Sequence, residues 1–412
     1  MLNSKILILG AGQGQVPLVK FAKENKYYVI VVSPKGDYPA FKYADKCIYL
    51  NILDKEAILN VAVEEKINAI ATDQTDISVS VVEYVAKKLG LPRVNCQYIE
   101  NFRNKSLMRD VCKQYGIKTI PYCVTGKIIE AISFWKENNK FKVIIKPIDS
   151  QGSRGVETAS TLEEIESGFN NAYKYSFSKK VIVEQFIEGE EVEVDTVINK
   201  GNIITTLIGD VYNFRLENSF SAYERIYPTT KSEEIKQKIN FINKQTLAAL
   251  GVITGWTHGE YIVTSNGEVY LLEVGLRGGG NYIGSDIIKE MLGVGTHEMA
   301  FYTAIGDDSF YENISLKNSV CAYKCFYLPE GKILSVDIDK AFFEQNSIIR
   351  HNLEHINNIK YTSKNIDKTS RFTIVVKCQD ILELSNLLKE IPNHISIKIK
   401  DVNGLINGVI WK

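Results

Sequence analysis

The chain contains 412 residues, of which 45% are hydrophobic and 24% charged, a composition that excludes a disordered or fibrous protein and predicts two or three packed units. Its 49 basic and 49 acidic residues give a net charge of zero, so the overall charge attracts neither nucleic acid nor an anionic membrane, and we expect neither as a partner. Seven scattered cysteines without paired CxxC spacing indicate reduced thiols, and no apolar run approaches the ~18 residues of a membrane span. These features predict a cytoplasmic protein.

Residues 1–100 alternate short apolar runs with amphipathic stretches, the pattern of an open parallel sheet covered by helices. Strands are predicted at 5–9, 28–32 and 69–72, and helices at 16–24, 55–66 and 77–89. The glycine turn from Gly10 to Gly14 has GxGxG spacing, and the second strand lacks a ribose-binding acid at its end, which disfavours dinucleotide binding. For this turn a structural role and a substrate contact stay equally open. The unit is predicted to be Rossmann-like.

From about residue 115 short strands predominate, which indicates an α+β insert. Strands are predicted at 121–125, 143–146, 181–186, 191–198 and 203–209. A helix at 161–171 has Thr161 as its N-cap and Glu164 in the capping-box position, and a second helix covers 232–250. The strands 259–264 and 268–274 form a hairpin through Asn266-Gly267, because both residues tolerate left-handed turn conformations. Beyond 315 we expect short strands again, including 371–377 and 396–400.

The first chemical feature is Lys146, which ends an apolar run and leads into a loop rich in glycine and serine at 150–156. An ammonium group beside small residues whose amides can close over oxygens suits a polyphosphate. The sequence is not a Walker A motif, because GK[ST] is missing. A surface hairpin is the alternative for the lysine and loop taken alone.

The second feature is an apolar strand at 181–187 that runs into the acidic stretch 188–191. Main-chain donors and acceptors at such a crossing can bind an adenine edge, and a carboxylate a few residues later can accept both ribose hydroxyls. A solvated acidic turn is the alternative.

The third feature is a pair of carboxylates on the predicted hairpin. Glu260 lies six residues before Asn266 and Glu273 six residues after Gly267, so the two oppose each other across the ladder. Opposed like charges destabilise a sheet unless a cation lies between them, and Mg²⁺ is commonly bound by one or two carboxylates together with substrate phosphates. A solvent-facing pair is the alternative, but the flanking apolar residues favour a metal site.

The fourth feature is Arg277, which lies in the segment Gly275-Leu276-Arg277-Gly278-Gly279-Gly280 just after Glu273. A guanidinium can bind a phosphate or carboxylate with two hydrogen bonds, and successive glycines let a substrate approach the backbone. A flexible loop without a ligand is the alternative.

In their fixed order these features resemble the ATP-grasp superfamily of carboxylate–amine ligases, with similarity to its amino-acid ligase and carbamoyl-phosphate-synthase-like branch. The motifs are Lys105-Ser106-x-Met108-Arg109, Ile145-Lys146-Pro147 with its glycine loop, Glu184-Gln185-Phe186-Ile187 with Glu191, Glu260, and Glu273-x-Gly275-x-Arg277. The resemblance implies an α/β and α+β architecture with the ATP-grasp fold. It further implies a Rossmann-like N-terminal domain at 1–100, an ATP-grasp domain at 101–310 with a central α+β lid at about 115–190, and a small C-terminal α+β domain at 311–412.

The resemblance also implies roles for single residues. For ATP these are the phosphate-binding Lys105 and Lys146, the loop residues Gln151, Gly152, Ser153, Gly155 and Val156, the adenine-framing Glu184, Gln185, Phe186 and Ile187, and the ribose-binding Glu191. The metal ligands are Glu260 and Glu273, for Mg²⁺ or, in its place, Mn²⁺, and the catalytic residues are Arg277 and Lys146. The substrate contacts are Arg277, Gly279, Gly280, His258 and Asp73. A strand-packing role is an equal alternative for His258, and a helix N-cap role is favoured for Asp73 or its neighbour Asp76.

The implied reaction is ATP-dependent activation of a small-molecule carboxylate as an acyl phosphate, followed by attack of an amine to form an amide with release of ADP and phosphate. Bicarbonate as the acid, and a non-catalytic ATP-binding module, are the alternatives. A homodimer is a family-level expectation. One position departs from the family signature Glu-x-Asn-x-Arg, since Gly275 stands at the asparagine position, and this departure predicts weaker binding of a second cation.

Overall fold

The computed structural model of the protein describes residues 4–102, 104–149, 155–214, 221–362 and 371–412. The N-terminal unit is a four-stranded parallel sheet in the order β3-β2-β1-β4, covered by helices, as the sequence predicts. Its core strand reads KILIL, and the four residues after its first lysine are all buried. The elements are β1 (Lys5–Leu9), α1 (Val16–Glu24), β2 (Tyr28–Ser33), β3 (Lys46–Tyr49), α2 (Lys55–Glu65), β4 (Ala69–Ala71) and α3 (Val79–Leu89).

The next segment forms an antiparallel four-stranded sheet in the order β6-β9-β7-β8, with two helices packed against it. Before it lie β5 (Asn95–Cys96) and α4 (Lys105–Gln114), and its own elements are β6 (Tyr122–Thr125), α5 (Ile128–Glu137), β7 (Val143–Pro147), β8 (Glu157–Ala159), α6 (Leu162–Tyr175) and β9 (Val181–Gln185). The predicted capping box of α6 is confirmed, because Thr161 accepts a hydrogen bond from the Glu164 amide and Glu164 accepts one from the Thr161 amide. We call residues 115–190 the lid.

A large antiparallel sheet forms the centre of the molecule, with strand order β14-β13-β10-β11-β12-β15-β19-β17 and β5 attached to β13. Its elements up to residue 310 are β10 (Glu190–Asn199), β11 (Asn202–Asn213), β12 (Ala222–Tyr227), α7 (Glu233–Ala249), β13 (Val252–Val263), β14 (Val269–Gly275), α8 (Ile288–Leu292) and α9 (Thr296–Ile305). The predicted hairpin is present as β13 and β14, and Ser232 caps α7 through its side chain.

The C-terminal segment extends this sheet and adds a small one in the order β18-β16-β20-β21. Its elements are β15 (Val320–Tyr327), β16 (Gly331–Ile338), α10 (Lys340–Phe343), β17 (Ile348–His351), β18 (Tyr361–Thr362), β19 (Arg371–Cys378), α11 (Ile381–Glu390), β20 (Ile395–Lys400) and β21 (Ile406–Asn407). Strands β15, β17 and β19 continue the central sheet past residue 311, so the sheet itself crosses the expected C-terminal boundary. The domain ranges stay a prediction.

The N-terminal unit is docked on the central unit through α1 and α9. The ring of Phe21 meets the ring of Phe301 edge-on at 5.3 Å between centroids and that of His297 at 5.8 Å. Both Phe301 and His297 are buried. This apolar contact holds the loop after β4 against the segment that follows β14, where the candidate site lies.

Candidate active site

Two carboxylates face each other on β13 and β14, as predicted, and a β-bulge between Glu260 and Tyr261 sets the register that pairs them. Glu260 and Glu273 are direct partners in the antiparallel ladder. The Lys105 ammonium, at the start of α4, lies 3.2 Å from Oε1 of Glu273. The side chain of Glu273 is 32% exposed whereas that of Lys105 is 12% exposed. The carboxylate is therefore accessible from the cleft, and the lysine pairs with it from the less exposed side.

The electrostatics of this carboxylate pair suit a divalent cation. Burial and the nearby Glu273 raise the pKa of Glu260. The pKa of Glu273 is lowered, because Lys105 and Arg277 outweigh the effect of its burial. The charges of His258 and Arg225 favour the ionised form of Glu260 but do not offset these effects. Two opposed carboxylates with hard oxygen ligands fit Mg²⁺ or Mn²⁺.

Lys146, at the end of β7, belongs to a buried ionic triad. Its ammonium lies 2.7 Å from Oε2 of Glu184 on the neighbouring strand β9, and Nε of Arg109 lies 3.0 Å from the other carboxylate oxygen. Arg109 also donates to the carbonyl of Leu272 at 2.7 Å. Burial by itself would raise the pKa of Glu184, but the two cations lower it to about 2. The triad ties the lid to α4 and to the hairpin strand β14.

A cavity of about 520 Å³ opens beside Lys146, between the lid and the central sheet. Its volume is in the range of small-molecule pockets. Of the residues predicted to contact ATP, those that line it are Lys146, Glu184, Gln185, Phe186, Ile187 and Glu191. Asn213 donates to the carboxylate of Glu191 at 2.7 Å, and burial together with Glu260 raises the pKa of Glu191 to about 7.

The predicted phosphate loop is described only in part. Gln151, Gly152 and Ser153 lie outside the described residues. Gly155 has a φ of +70°, a left-handed conformation that favours glycine, and Val156 directly precedes β8.

Arg277 reaches the N-terminal unit. Its Nε and one terminal nitrogen lie 3.0 and 3.1 Å from the two carboxylate oxygens of Asp76. Its other terminal nitrogen donates to the carbonyl of Gly278 at 3.1 Å. Arg277 is 17% exposed and Asp76 12% exposed, so the pair is largely shielded from water. Burial opposes the charge of Arg277, but Asp76, and to a smaller extent Glu260 and Glu273, raise its pKa.

The glycine segment that follows Arg277 is held by a hydrogen bond from the Gly278 amide to the buried Asp73. Asp73 is fully buried, and its carboxylate accepts hydrogen bonds from the Gly278 amide at 3.1 Å and the Thr296 hydroxyl at 2.7 Å. A Cβ on Gly279 would lie 3.0 Å from Cε1 of His258, whereas a Cβ on Gly280 would meet nothing within 4 Å. Among these residues Gly280 therefore borders open space. The predicted N-cap role is wrong for both Asp73 and Asp76, because α3 begins after Ser78.

His258 is buried within a polar network beneath the carboxylate pair. Its Nδ1 lies 2.9 Å from Asp195 and its Nε2 lies 3.6 Å from Glu193. The two carboxylates raise the pKa of His258 to about 10 against the opposing effect of burial. Arg225 and Tyr227 complete the network through contacts to Glu193, and Glu193 is itself the ladder partner of Glu260 on β10.

Comparison with known proteins shows which family and fold the chain is similar to. The family profile described as D-ala D-ala ligase C-terminus matches residues 85–279. The chain is 32% identical to a D-alanine–D-alanine ligase of Trichlorobacter lovleyi over an aligned segment of 134 residues. The aligned segment covers 32% of this chain and 42% of that ligase. The chain spans about half the length of the curated ligases it matches.

Two solved structures resemble almost the whole chain. The L-amino acid ligase of Bacillus licheniformis has a TM-score of 0.77 at 20% identity, covering 96% of this chain and 98% of that one. The protein has the ATP-grasp fold. A biotin carboxylase domain dimer of the Hydrogenobacter thermophilus 2-oxoglutarate carboxylase, in complex with MgADP, ADP and bicarbonate, has a TM-score of 0.71 at 17% identity over 99% of this chain and 92% of that one. The resemblance inferred from the sequence motifs is thus confirmed for the fold.

Several residues of the candidate site were not assigned a role from the sequence. Arg109 lies four positions after Lys105 on α4. This spacing puts both side chains on one face of the helix, and it is the sequence signal from which a role for Arg109 beside Lys105 could have been predicted. The network residues Glu193, Asp195, Arg225 and Tyr227 lie on strands with no motif of their own. Among the described residues, no helix is both long enough and apolar enough to span a bilayer.

Proposed function

We propose that this protein is an ATP-dependent carboxylate–amine ligase that forms an acyl phosphate and then an amide, releasing ADP and phosphate. The observation that carries the proposal is the arrangement of Lys105, Arg277 and the opposed pair Glu260 and Glu273 around one cleft, next to the cavity that begins at Lys146. Cations that face a pair of metal-binding carboxylates are what transfer of a phosphoryl group requires.

The nucleotide would occupy the 520 Å³ cavity between the lid and the central sheet. In that pose the segment Gln185–Ile187 of the β9 crossing offers main-chain groups to adenine, and Glu191 lies on the same wall for the ribose. Lys146 stands at the end of β7 that leads to the loop at 150–156. Its pairing with the buried Glu184 holds the ammonium in place before a phosphate binds. Binding would therefore cost little side-chain conformational entropy at Lys146.

The ligands for Mg²⁺, or Mn²⁺ in its place, would be Glu260 and Glu273. A cation bound by these carboxylates supplies positive charge to phosphate oxygens and orients them. A bound cation would also offset the repulsion from Glu273 that, together with burial, raises the pKa of Glu260.

The protein's own side chains would do electrostatic work during the reaction. Lys146 and Arg277 would stabilise the negative charge of the phosphoryl group during its transfer. Arg277 would also stabilise the acyl phosphate that results. No covalent nucleophile is needed, because the substrate carboxylate attacks the phosphorus and the amine later attacks the carbonyl carbon. Closure of the lid would exclude water that hydrolyses an acyl phosphate.

The substrates would lie beyond Arg277, where Gly280 borders open space. We propose an amino-acid-like acid and amine, and the L-amino acid ligase of similar fold supports this choice. Bicarbonate as the acid is the second candidate, supported by the similar fold of the biotin carboxylase domain that was crystallised with that anion. That domain is described as a dimer, and a homodimer in the cytoplasm is our proposal for this chain.

The test is phosphate and ADP release from Mg-ATP over a matrix of amino acids, hydroxy acids, sugar acids and bicarbonate, with mass spectrometry of the products. The proposal expects an amide for at least one acid and amine, and loss of turnover in Lys146→Ala and Glu273→Ala with unchanged circular dichroism. Lys127→Ala, on the exposed side of the lid, is the matched control. ADP formation in no mixture, or unchanged turnover in either site variant, would refute the proposal, and turnover with bicarbonate alone would favour the second candidate.

A further inference from the structure

The partner of Arg277 comes from the other side of the domain junction. Asp76 lies in the loop between β4 and α3 of the N-terminal unit, 201 positions away in the chain. Its two oxygens bind two nitrogens of the guanidinium at 3.0 and 3.1 Å. A bidentate pair fixes both the position and the plane of the guanidinium, and its shielding from water strengthens the pairing.

The same carboxylate occupies the space beside Gly275. A Cβ built on Gly275 would lie 2.3 Å from Oδ1 of Asp76 and 3.0 Å from Nε of Arg277. Contacts that short do not occur, so a side chain at 275 requires Asp76 to move. Gly275 is the position at which this chain departs from Glu-x-Asn-x-Arg, and an oxygen from the N-terminal unit fills the place that a side chain there would take.

The loop that carries Asp76 is anchored at a second point. Asp73, three residues earlier, holds the Gly278 amide and the Thr296 hydroxyl, and its backbone carbonyl accepts a 2.6 Å hydrogen bond from the Gln15 side chain. Thr296 begins α9, the helix on which α1 is docked. The position of Asp76 is therefore determined by the packing of the two units rather than by a flexible loop.

We propose that Asp76 is a positioning residue of the active site, which sets the guanidinium of Arg277 and takes the place left by the absent side chain at 275. This inference rests on the proposed function for its kinetic consequence. It extends that function, because a residue of the N-terminal unit then completes the phosphoryl-transfer site of the central unit. It also predicts that residues 76 and 275 are interchangeable as sources of the oxygen that faces Arg277.

The kinetic test uses the intact chain with whichever substrate pair supports turnover. Asp76→Asn should lower kcat by about 100-fold, the effect of misplacing a catalytic group by about 1 Å, while the KM for ATP changes less than threefold. Glu83→Gln, which alters a carboxylate of the same unit that pairs with Arg93 at 3.6 Å, should leave both constants unchanged. An Asp76→Asn enzyme with wild-type kcat would overturn the proposal.

The exchange test combines the two positions. Gly275→Asn alone should impair turnover because Asp76 occupies the space, and Asp76→Ala alone should impair it because Arg277 loses its partner. The double variant should be at least tenfold faster than Asp76→Ala, since the amide oxygen then faces the guanidinium. If the fold-loss of kcat in the double variant equals the product of the fold-losses in the two single variants, the side chains at 76 and 275 do not substitute for each other. The proposal is then wrong.

Two measurements do not depend on turnover and separate this inference from the proposed function. In urea unfolding, the midpoint shifts of Asp76→Asn and Arg277→Met should be strongly non-additive in the double variant, and additive shifts would overturn the pairing even in an inactive protein. Binding of Mn²⁺ to the ADP complex should change less than twofold in Asp76→Asn. A tenfold loss would show that Asp76 is a metal ligand instead of a positioning residue.

Discussion

The ionic triad of Arg109, Glu184 and Lys146 makes a quantitative prediction about the lid. Glu184→Gln keeps the shape of the side chain but leaves two cations in a protected site without a compensating negative charge. The side-chain exposures are 1% for Arg109, 0% for Glu184 and 13% for Lys146. Removing one partner of a buried pair costs about 3–5 kcal/mol, and we expect the lower end because the amide oxygen still accepts one hydrogen bond.

The pKa of Glu184 gives a second route to the same magnitude. Its fall from an ordinary 4.5 to about 2 corresponds to about 3 kcal/mol at 1.36 kcal/mol per pH unit. Because the folded pKa lies below the unfolded one, this stability is present in full above pH 4.5 and is lost as the pH falls toward 2. The difference between wild type and Glu184→Gln should therefore be about 3 kcal/mol at pH 7 and should narrow steadily at acidic pH.

Amide hydrogen exchange of β7 and β9 measures this locally, within the lid sheet itself. A loss of about 3 kcal/mol should speed exchange by about 100-fold at neutral pH, since 1.4 kcal/mol is a factor of ten. Glu166→Gln is the control, because Glu166 is an exposed carboxylate on α6 of the same lid and its substitution should leave these amides unchanged. Equal exchange in wild type and Glu184→Gln would refute the reasoning that the triad holds the lid together.

Three further predictions follow from single contacts. Glu273→Gln should weaken Mn²⁺ binding to the ADP complex at least tenfold in calorimetry, because one of the two opposed carboxylates is lost, and unchanged binding would contradict the metal assignment. Thr161→Ala should destabilise the lid by about 1 kcal/mol in hydrogen exchange of α6 through loss of its cap, whereas Thr161→Ser should not. Gly278→Ala should lower kcat, because its Cβ would lie 2.2 Å from the hydroxyl and 2.6 Å from the Cβ of Thr296. Thr296→Gly, which removes both atoms, should partly restore it, and a fully active Gly278→Ala would show that this loop moves freely.

Features set by local chemistry could be read from the sequence. The cap at Thr161 was predicted because a side-chain oxygen next to helix amides acts within one turn, and the predicted start of the second helix at residue 232 coincides with the N-cap Ser232. The pairing of Glu260 with Glu273 was predicted from a count that starts at the Asn266-Gly267 turn. The ladder next to the turn pairs Tyr261 with Leu271 and Val263 with Val269, a register that by itself would place Glu260 opposite Leu272. A β-bulge between Glu260 and Tyr261 brings Glu273 opposite Glu260 instead, and the sequence did not predict this bulge.

Features set by docking could not be read in this way. His258 on β13 and Asp195 on β10 are ladder partners that lie 63 positions apart in the chain. No local turn joins these two strands, so the sequence does not fix their register. The pairing of Asp76 with Arg277 needs two separate units to pack in one orientation. For Asp76 the sequence favoured a helix N-cap role, because an aspartate near a helix start suits that role, and only the tertiary structure places it opposite Arg277.

The placement of Asp76 implies that the contact between the two units has a catalytic consequence. If the guanidinium of Arg277 is set by a carboxylate of the N-terminal unit, any change that shifts α1 on α9 also shifts the phosphoryl-transfer site, even though Phe21 and Phe301 touch no reacting atom. Gly275 supplies no side chain at this place, and the Asp76 carboxylate occupies the space beside it. Under this proposal the position of Arg277 depends on the packing of the two units, so substitutions at Phe21 or Phe301 should lower kcat.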